Sequence, residues 1–285
     1  MRRLVTVALS SALSAHASQL PVIPGETDKT CTALVMSGGG SNGAWESGAL
    51  WGLLHYGNPA DYRYDVVTGV SIGSINAAGL SVFEIGNELE AVDFIYKTWN
   101  RIRSEDIYTE SVLGMAGGLL SPSFYDNTVG LSTMKKLLSQ FDGYKRAISL
   151  SAVNVETGQV VNLTNENTLF EDLHKAVIAS ASVPGFFPYM ELNDMKLVDG
   201  MTAYNTNVQE AIDMCRKIVN NDDSRITIDV MICEVEKELG EWNLTGNAWS
   251  NYWRIQDIRN RAHSTNALAG VMRAHPFINW RHVIN

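Results

Sequence analysis

The chain has 285 residues and a formal net charge of −9, from 22 basic and 31 acidic side chains. Hydrophobic residues make up 45% of the chain and charged residues 19%, a composition typical of a globular domain that excludes a disordered or collagen-like chain and a disulfide scaffold. The acidic balance argues against nucleic acid as a partner. No apolar run reaches the roughly 20 residues that a membrane span needs.

The first 17 residues have the pattern of a secretory signal peptide. Arg2 and Arg3 give a positive start, residues 4–13 are a short apolar stretch, and Ala-His-Ala at 15–17 fits a cleavage site. A folded N-terminal strand is the alternative interpretation. We therefore expect a secreted protein, or one in the lumen of the secretory pathway, with a single domain over residues 18–285.

Three cysteines, Cys31, Cys215 and Cys233, allow one disulfide and one unpaired thiol in an oxidising compartment. The sequence does not identify the pair. Cys31 and Cys233 lie in or beside apolar runs typical of buried strands, so buried thiols are an equally good interpretation. No Cys/His spacing resembles a zinc site, and no residue requires a metal or an organic cofactor.

Apolar spacing predicts strands alternating with helices along the chain. Strands are predicted at 32–37, 65–68, 147–155, 159–163, 196–198 and 226–235, and helices at about 44–54, 74–83, 89–99, 169–181, 204–219 and 252–273. This order predicts an α/β fold with a mostly parallel sheet covered on both faces. The basic last helix is interpreted as packing on the acidic remainder, with contact to an anionic membrane surface as the alternative.

The strongest chemical signal is the G-x-S-x-G pattern of Gly69, Ser71 and Gly73, between a predicted strand and a predicted helix. A strand–turn–helix of this kind is a nucleophile elbow, which lifts a serine oxygen clear of the backbone at a helix N-terminus. Flanking glycines let the chain pass close without Cβ clashes. An ordinary turn with a capping serine is the alternative. We predict that Ser71 is a nucleophile.

A second glycine-rich loop, GGGSNG at residues 38–43, also lies between a strand and a helix. Its spacing fits G-x-G-x-x-G, which would suit a dinucleotide. In the other interpretation, Gly38, Gly39 and Gly40 aim backbone N–H groups at one point and form an oxyanion hole. We prefer the oxyanion hole, because hydride transfer would leave Ser71 without a role.

A serine nucleophile needs a base. The histidines that follow Ser71 lie in a predicted helix (His174) or in the basic C-terminal stretch (His263, His275 and His282), where a structural role is the better interpretation. Asp199 follows a predicted strand and precedes Gly200, at the sheet edge where α/β sites are built. Its alternative role is that of a turn former or helix cap.

Together these blocks resemble a patatin-like phospholipase. The matching blocks are the glycine loop ending at Gly43, the serine motif at 69–73, residues 179–188 and the pair Asp199-Gly200, so that the match covers about residues 32–207. The resemblance implies a three-layer α/β/α fold with a mostly parallel central sheet. It also implies a Ser71–Asp199 dyad without histidine, which hydrolyses fatty acyl esters in lipids through an acyl-enzyme at a transient membrane or micelle surface.

The chain departs from the family pattern at three positions. Asn42 stands where many members have Arg or Lys, Met201 where Gly or Ala is usual, and Asn207 where many have Pro. The first departure bears on contact with a phosphate or head group. The other two bear on the geometry of the aspartate loop.

Two other functions use the same residues differently. An α/β-hydrolase esterase would pair Ser71 with a later acid and a C-terminal histidine, but its oxyanion glycines normally follow a histidine, whereas Ser37 precedes them here. A non-catalytic lipid-binding or storage protein would need neither Ser71 nor Asp199. Residues 112–125 are a candidate cap over an acyl pocket and residues 186–188 candidate lining, with ordinary core packing as the alternative.

Overall fold

The computed structural model describes residues 29–110, 123–233 and 248–285. The expected signal peptide at 1–17 and most of the candidate cap at 112–125 therefore lie outside the described residues. Within the described ranges, no helix combines the length and apolar character that crossing a membrane requires.

Strands and helices alternate through most of the described chain. The strands are β1 (Cys31–Met36), β2 (Val66–Val70), β3 (Thr109–Glu110), β4 (Tyr125–Asp126), β5 (Ala147–Asn154), β6 (Val160–Thr164), β7 (Met190–Leu192), β8 (Met195–Asp199), β9 (Ile226–Met231) and β10 (Asn279–Ile284). The helices are α1 (Gly43–Tyr56), α2 (Ile72–Ser81), α3 (Glu88–Trp99), α4 (Thr128–Leu138), α5 (Leu173–Ser180), α6 (Val208–Val219) and α7 (Ala248–Ala274).

Eight of these strands form one central sheet in the order β10-β9-β1-β2-β5-β8-β7, with β6 also paired to β5. Strands β10, β9, β1, β2 and β5 run parallel to one another. Strands β6 and β8 pair antiparallel with opposite edges of β5, and β7 pairs antiparallel with β8. The predicted mostly parallel sheet is confirmed.

Helices cover both faces of this sheet because its central strands are apolar on both sides. Along β1, Leu34 and Met36 pack into one core with α1 to α5. Cys31, Ala33 and Val35 point to the other face and pack with α6 and with Leu268 of α7. The three-layer α/β/α arrangement is therefore confirmed.

Some element boundaries differ from the sequence prediction. Helix α6 begins at Val208 rather than at 204, because a short 3-10 turn at Gly200–Thr202 follows β8 and the N–H of Tyr204 bonds back to the carbonyl of Gly200. Strand β9 ends at Met231 rather than at 235. Helix α4 and strands β3, β4, β7 and β10 are not predicted. Strand β10 lacks an apolar pattern because it lies at the sheet edge, where Arg281 donates to Asp229 of β9.

A disulfide joins Cys31 of β1 to Cys215 of α6 across the second core. Cys233 is a buried, unpaired thiol. Of the two cysteines interpreted as buried strand thiols, one is therefore crosslinked and the other is not. The crosslink spans 184 positions of sequence, so it restricts a large part of the unfolded chain.

We expect the double variant Cys31→Ala, Cys215→Ala to lose about 2–4 kcal/mol of unfolding free energy, because the unfolded chain regains the freedom that the crosslink removes. Denaturant unfolding followed by circular dichroism measures this loss. Cys233→Ala is the matched control, since it trims a buried thiol without removing a crosslink. A double variant no less stable than this control would contradict the prediction, as would a non-reduced peptide map that links Cys233.

Candidate active site

The positions of Ser71 and Asp199 follow from strand β5. Strand β2 runs parallel to β5, and its last residue, Val70, pairs with Ser151. Strand β8 runs antiparallel to β5, and its last residue, Asp199, pairs with the next position, Ala152. Because β6 occupies the opposite edge of β5, β2 and β8 approach each other head-on along one edge. Their carboxyl ends meet, and this places Ser71 beside Asp199.

Ser71 occupies the sharp turn between β2 and α2. Its φ of 52° and ψ of −123° form a conformation that residues other than glycine rarely adopt. The flanking glycines allow this turn, since a Cβ at Gly69 would lie 2.5 Å from the carbonyl oxygen of Gly73. A Cβ at Gly73 would lie 2.6 Å from the carbonyl oxygen of Ser37. The local geometry is that of a nucleophile elbow.

The hydroxyl of Ser71 donates a hydrogen bond of 2.6 Å from Oγ to Oδ2 of Asp199. The backbone N–H of Met201 donates to the other carboxylate oxygen, Oδ1, at 2.8 Å. Asp199 is fully buried. Burial raises the pKa of Asp199 to about 7, although the hydrogen bonds from Ser71 and Met201 act to lower it. This carboxylate is therefore a stronger proton acceptor than an ordinary aspartate.

Among the described side chains, no histidine hydrogen bonds to Ser71 or Asp199. His55 contacts Trp51 and Asp93, His174 is buried on α5, His275 contacts Asp223, and His282 lies against the ring of Tyr62. The side chain of His263 lies outside the described residues. Within the described chain, the serine hydroxyl thus faces a carboxylate.

The glycine loop lies directly beside the serine. A Cβ at Gly38 would approach the Cβ of Ser71 to 3.0 Å. The N–H of Gly38 donates to the carbonyl of Asn205 at 3.2 Å, whereas the N–H groups of Gly39 and Gly40 donate to no acceptor in the described chain. Of the three predicted oxyanion donors, Gly38 already bonds to an acceptor within the protein. The oxyanion role of Gly38, Gly39 and Gly40 stays a prediction. Gly39 and Gly40 are left as the candidate donors.

The other two motif glycines lie where backbone segments meet closely. A Cβ at Gly43 would lie 2.3 Å from the side chain of Ile72, at the contact between α1 and α2. A Cβ at Gly200 would lie 2.4 Å from the carbonyl oxygen of Ser151. These contacts bring the end of the glycine loop to helix α2 and the aspartate turn to β5.

At each of the three positions that depart from the family pattern, the residue makes a hydrogen bond within the protein. Asn42 donates from Nδ2 to the carbonyl of Cys233 at 2.7 Å, so its side chain is committed within the protein. Met201 orients Asp199 through its backbone N–H. Asn207 donates from Nδ2 to Oδ1 of Asn162 at 3.0 Å. The aspartate turn is thus held without the residues usual in the family.

Ser180 lies beside the candidate site, and the sequence does not single it out, although it is in the matching block before the aspartate. Its Oγ accepts the backbone N–H of Ser71 at 3.0 Å and donates to the carbonyl of Ser151 at 2.6 Å. Two positions on, the carbonyl of Ser182 accepts the N–H of Asp199 at 2.9 Å. This segment therefore holds both the elbow and the aspartate against β5.

A cavity of about 380 Å³ opens beside Ser71. Apolar side chains dominate its wall, including Ile75, Trp99, Ile178 and Phe187. Of the candidate lining segment 186–188, Phe187 thus faces the cavity, while Phe186 stacks on Tyr125. The lining residues Gly40, Ser41, Arg103 and Ser104 are solvent-exposed and form its rim. An apolar cavity of this size next to a serine suits a hydrocarbon chain.

No group of three or more His, Cys, Asp or Glu side chains within the described residues is arranged to hold a metal ion.

We expect Ser180→Ala to lower the free energy of unfolding by about 1–3 kcal/mol, because the buried N–H of Ser71 loses its acceptor. The Ser71 amide should also exchange with solvent faster in native-state hydrogen exchange. Ser81→Ala is a matched control, since that buried hydroxyl bonds only to the carbonyl of Ala78 in its own helix. Equal stability and equal exchange in the two variants would contradict a bracing role for Ser180.

Of three comparisons with known proteins, the family model identifies the family of this chain. A search among curated proteins finds no match. Among solved structures, the chain is similar to VipD from Legionella pneumophila, with 12% identity, a TM-score of 0.40 and coverage of 71% of this chain. The match covers 50% of the VipD chain, so this chain spans about half the length of that relative. The family model of the patatin-like phospholipases matches residues 34–212, more than half of the chain, and the chain belongs to this family.

Proposed function

We propose that this protein is a lipid acyl hydrolase that cleaves fatty acyl esters through a Ser71–Asp199 dyad and an acyl-enzyme intermediate. Membership of the patatin-like phospholipase family implies lipid acyl hydrolase activity. The observation that carries the dyad is the 2.6 Å hydrogen bond from the serine hydroxyl to a buried carboxylate.

In the first half of the proposed reaction, Oγ of Ser71 attacks the ester carbonyl carbon while its proton passes to Oδ2 of Asp199. The N–H groups of Gly39 and Gly40 stabilise the oxyanion of the tetrahedral intermediate, each contributing about 3–4 kcal/mol. Asp199 then returns the proton to the departing alcohol oxygen as the ester C–O bond breaks. The acyl group remains on Ser71, with its hydrocarbon chain in the apolar cavity.

In the second half, a water molecule attacks the acyl-enzyme and gives its proton to Asp199. The same oxyanion donors act again, and collapse of the intermediate releases the fatty acid and reprotonates Ser71. Aspartate can do this work because its site is dry, and burial raises its pKa towards neutrality.

The proposal also covers the substrate and the location of the protein. The substrate is a lipid or ester, met at a transient membrane or micelle surface, and the protein is secreted or lumenal. The Cys31–Cys215 crosslink supports an oxidising compartment.

Single substitutions test the dyad against the rival functions. Asp199→Asn keeps the size of the side chain but removes its basicity, so we expect turnover of a soluble short-chain ester to fall by about 10³-fold or more, close to the loss in Ser71→Ala. Changing His55, His174, His263, His275 or His282 singly to Gln should cost no more than a few-fold. Initial rates, with folding checked by circular dichroism, measure this.

The outcome distinguishes three functions. A well-folded histidine variant as inactive as Ser71→Ala would replace the dyad with the triad of an α/β-hydrolase. A wild-type protein that binds lipid but hydrolyses no ester would indicate a storage or binding protein on this fold.

The rim of the cavity favours an ester with an anionic head group. Arg103 is the only charged side chain among the described lining residues, and no ion pair in the described chain includes it. The family's usual cation at position 42 is replaced by Asn42, whose side chain bonds to the protein itself. Arg103 is therefore placed to supply a positive charge from another element.

We expect Arg103→Gln to raise KM about tenfold for dihexanoyl phosphatidic acid and to leave kcat/KM for dihexanoylglycerol nearly unchanged, because only the first ester carries a phosphate for the guanidinium. Arg101→Gln is the matched control, since that exposed arginine does not line the cavity. Equal effects of Arg103→Gln on both esters, or an equal effect of Arg101→Gln, would contradict head-group recognition by Arg103.

A further inference from the structure

Glu46 is a buried carboxyl group behind the glycine loop that the mechanism above does not use. It lies in the first turn of α1 and is 0% exposed. Its Oε2 accepts a hydrogen bond of 2.7 Å from Nδ2 of Asn76, while Oε1 makes no hydrogen bond of normal geometry to any described group. No ion pair in the described chain includes Glu46.

Asn76, the partner of Glu46, connects three parts of the site. It lies on the nucleophile helix α2, and its Nδ2 also donates to the carbonyl of Gly43 at 3.1 Å, where the glycine loop ends. Its Oδ1 accepts the indole N–H of Trp99 at 2.7 Å, and Trp99 lines the cavity. The Glu46–Asn76 pair therefore ties α1, α2 and the cavity wall together.

On its other side, the carboxyl group of Glu46 faces the thiol of Cys233 and the backbone of Ser37. Cys233 supports the glycine loop from behind, because a Cβ at Gly39 would lie 2.3 Å from the Cβ of Cys233. The N–H of Cys233 also donates to Oγ of Ser37 at 2.7 Å. A change in charge at Glu46 would thus act on the segment that holds a candidate oxyanion donor.

Among the described residues, no cation faces Glu46 from the elements packed against it. Helix α2 presents Asn76, the segment after β9 presents Cys233, and the loop after β1 presents Ser37. Burial raises the pKa of Glu46 to about 8, outweighing the opposite effects of the nearby Asn76 amide and Cys233 thiol. Burial also raises the pKa of the Cys233 thiol. The cluster is therefore mostly uncharged at neutral pH.

We propose that Glu46 is a positioning residue that holds the glycine loop against the nucleophile helix through Asn76, and that it does so as the neutral acid. This inference rests on the hydrolase function proposed above. An ionised Glu46 would place an unpaired buried charge behind the loop that must stabilise an oxyanion, and like charges repel strongly in a dry site. Glu46 therefore sets the upper pH limit of activity, while Asp199 sets the lower one.

The test is the pH dependence of kcat/KM on a soluble short-chain ester. The wild-type rate should rise through about pH 7 as Asp199 loses its proton, and fall about tenfold per pH unit above about 8 as Glu46 ionises. Glu46→Gln retains a neutral hydrogen-bonding group, so it should keep activity within a few-fold of wild type at pH 7.5 and lose the alkaline fall.

Asp65→Asn is the matched control. Burial also raises the pKa of Asp65, but this carboxyl group precedes β2 at the end away from Ser71 and bonds to the N–H of Thr32. Its variant should keep the wild-type profile. An alkaline fall that persists unchanged in Glu46→Gln, or a wild-type profile without that fall, would overturn the proposal.

Infrared titration provides a readout that does not depend on Glu46→Gln folding. In the full-length Asp199→Asn protein, a protonated carboxylic acid band should persist at pH 7 and disappear near pH 8, and its absence at pH 7 would overturn the proposal. A wild-type protein inactive on every ester would overturn the hydrolase function itself. That outcome is distinct from an active enzyme whose rate is indifferent to Glu46.

Discussion

The head-on meeting of β2 and β8 along one edge of β5 is the constraint on which the candidate site depends. The two strands pair with consecutive residues, Ser151 and Ala152, so the backbone ladder sets the separation of serine and aspartate. A register shift of one residue would turn a side chain to the other face of the sheet. Ser180 reinforces the register by bonding to both the elbow and the carbonyl of Ser151.

Two buried carboxyl groups lie in this site, and the proposed mechanism needs one of them ionised and the other protonated. Asp199 accepts hydrogen bonds at both oxygens and has a pKa near 7, so it can hold or release a proton under ordinary conditions. Glu46 has a hydrogen-bond partner at one oxygen and no cation nearby among the described residues, and it stays mostly protonated. Both side chains are fully shielded from water, and burial is the largest cause that raises each pKa.

The sequence predicts the parts of the site that depend on local geometry. The elbow at Ser71 and the turn at Asp199 can be predicted because each has a glycine beside it and follows a predicted strand. The bond from Gly38 to the carbonyl of Asn205 is not readable, because it joins distant segments. Ser180 and Glu46 carry no local signal either, since a buried serine or glutamate is identified only by the partners that the fold brings to it. Edge strand β10 is not predicted because it is held at the sheet edge by backbone pairing with β9 and by the Arg281–Asp229 contact, not by an apolar pattern.

Because of the Cys31–Cys215 disulfide, the stability of this domain depends on whether its compartment is oxidising or reducing. It ties the strand that leads into the glycine loop to the helix that follows the aspartate turn. A copy of the chain in a reducing cytosol carries two thiols in place of that bond, and a copy in an oxidising compartment carries the bond. The same amino-acid sequence therefore yields a less stable domain in a reducing compartment than in an oxidising one.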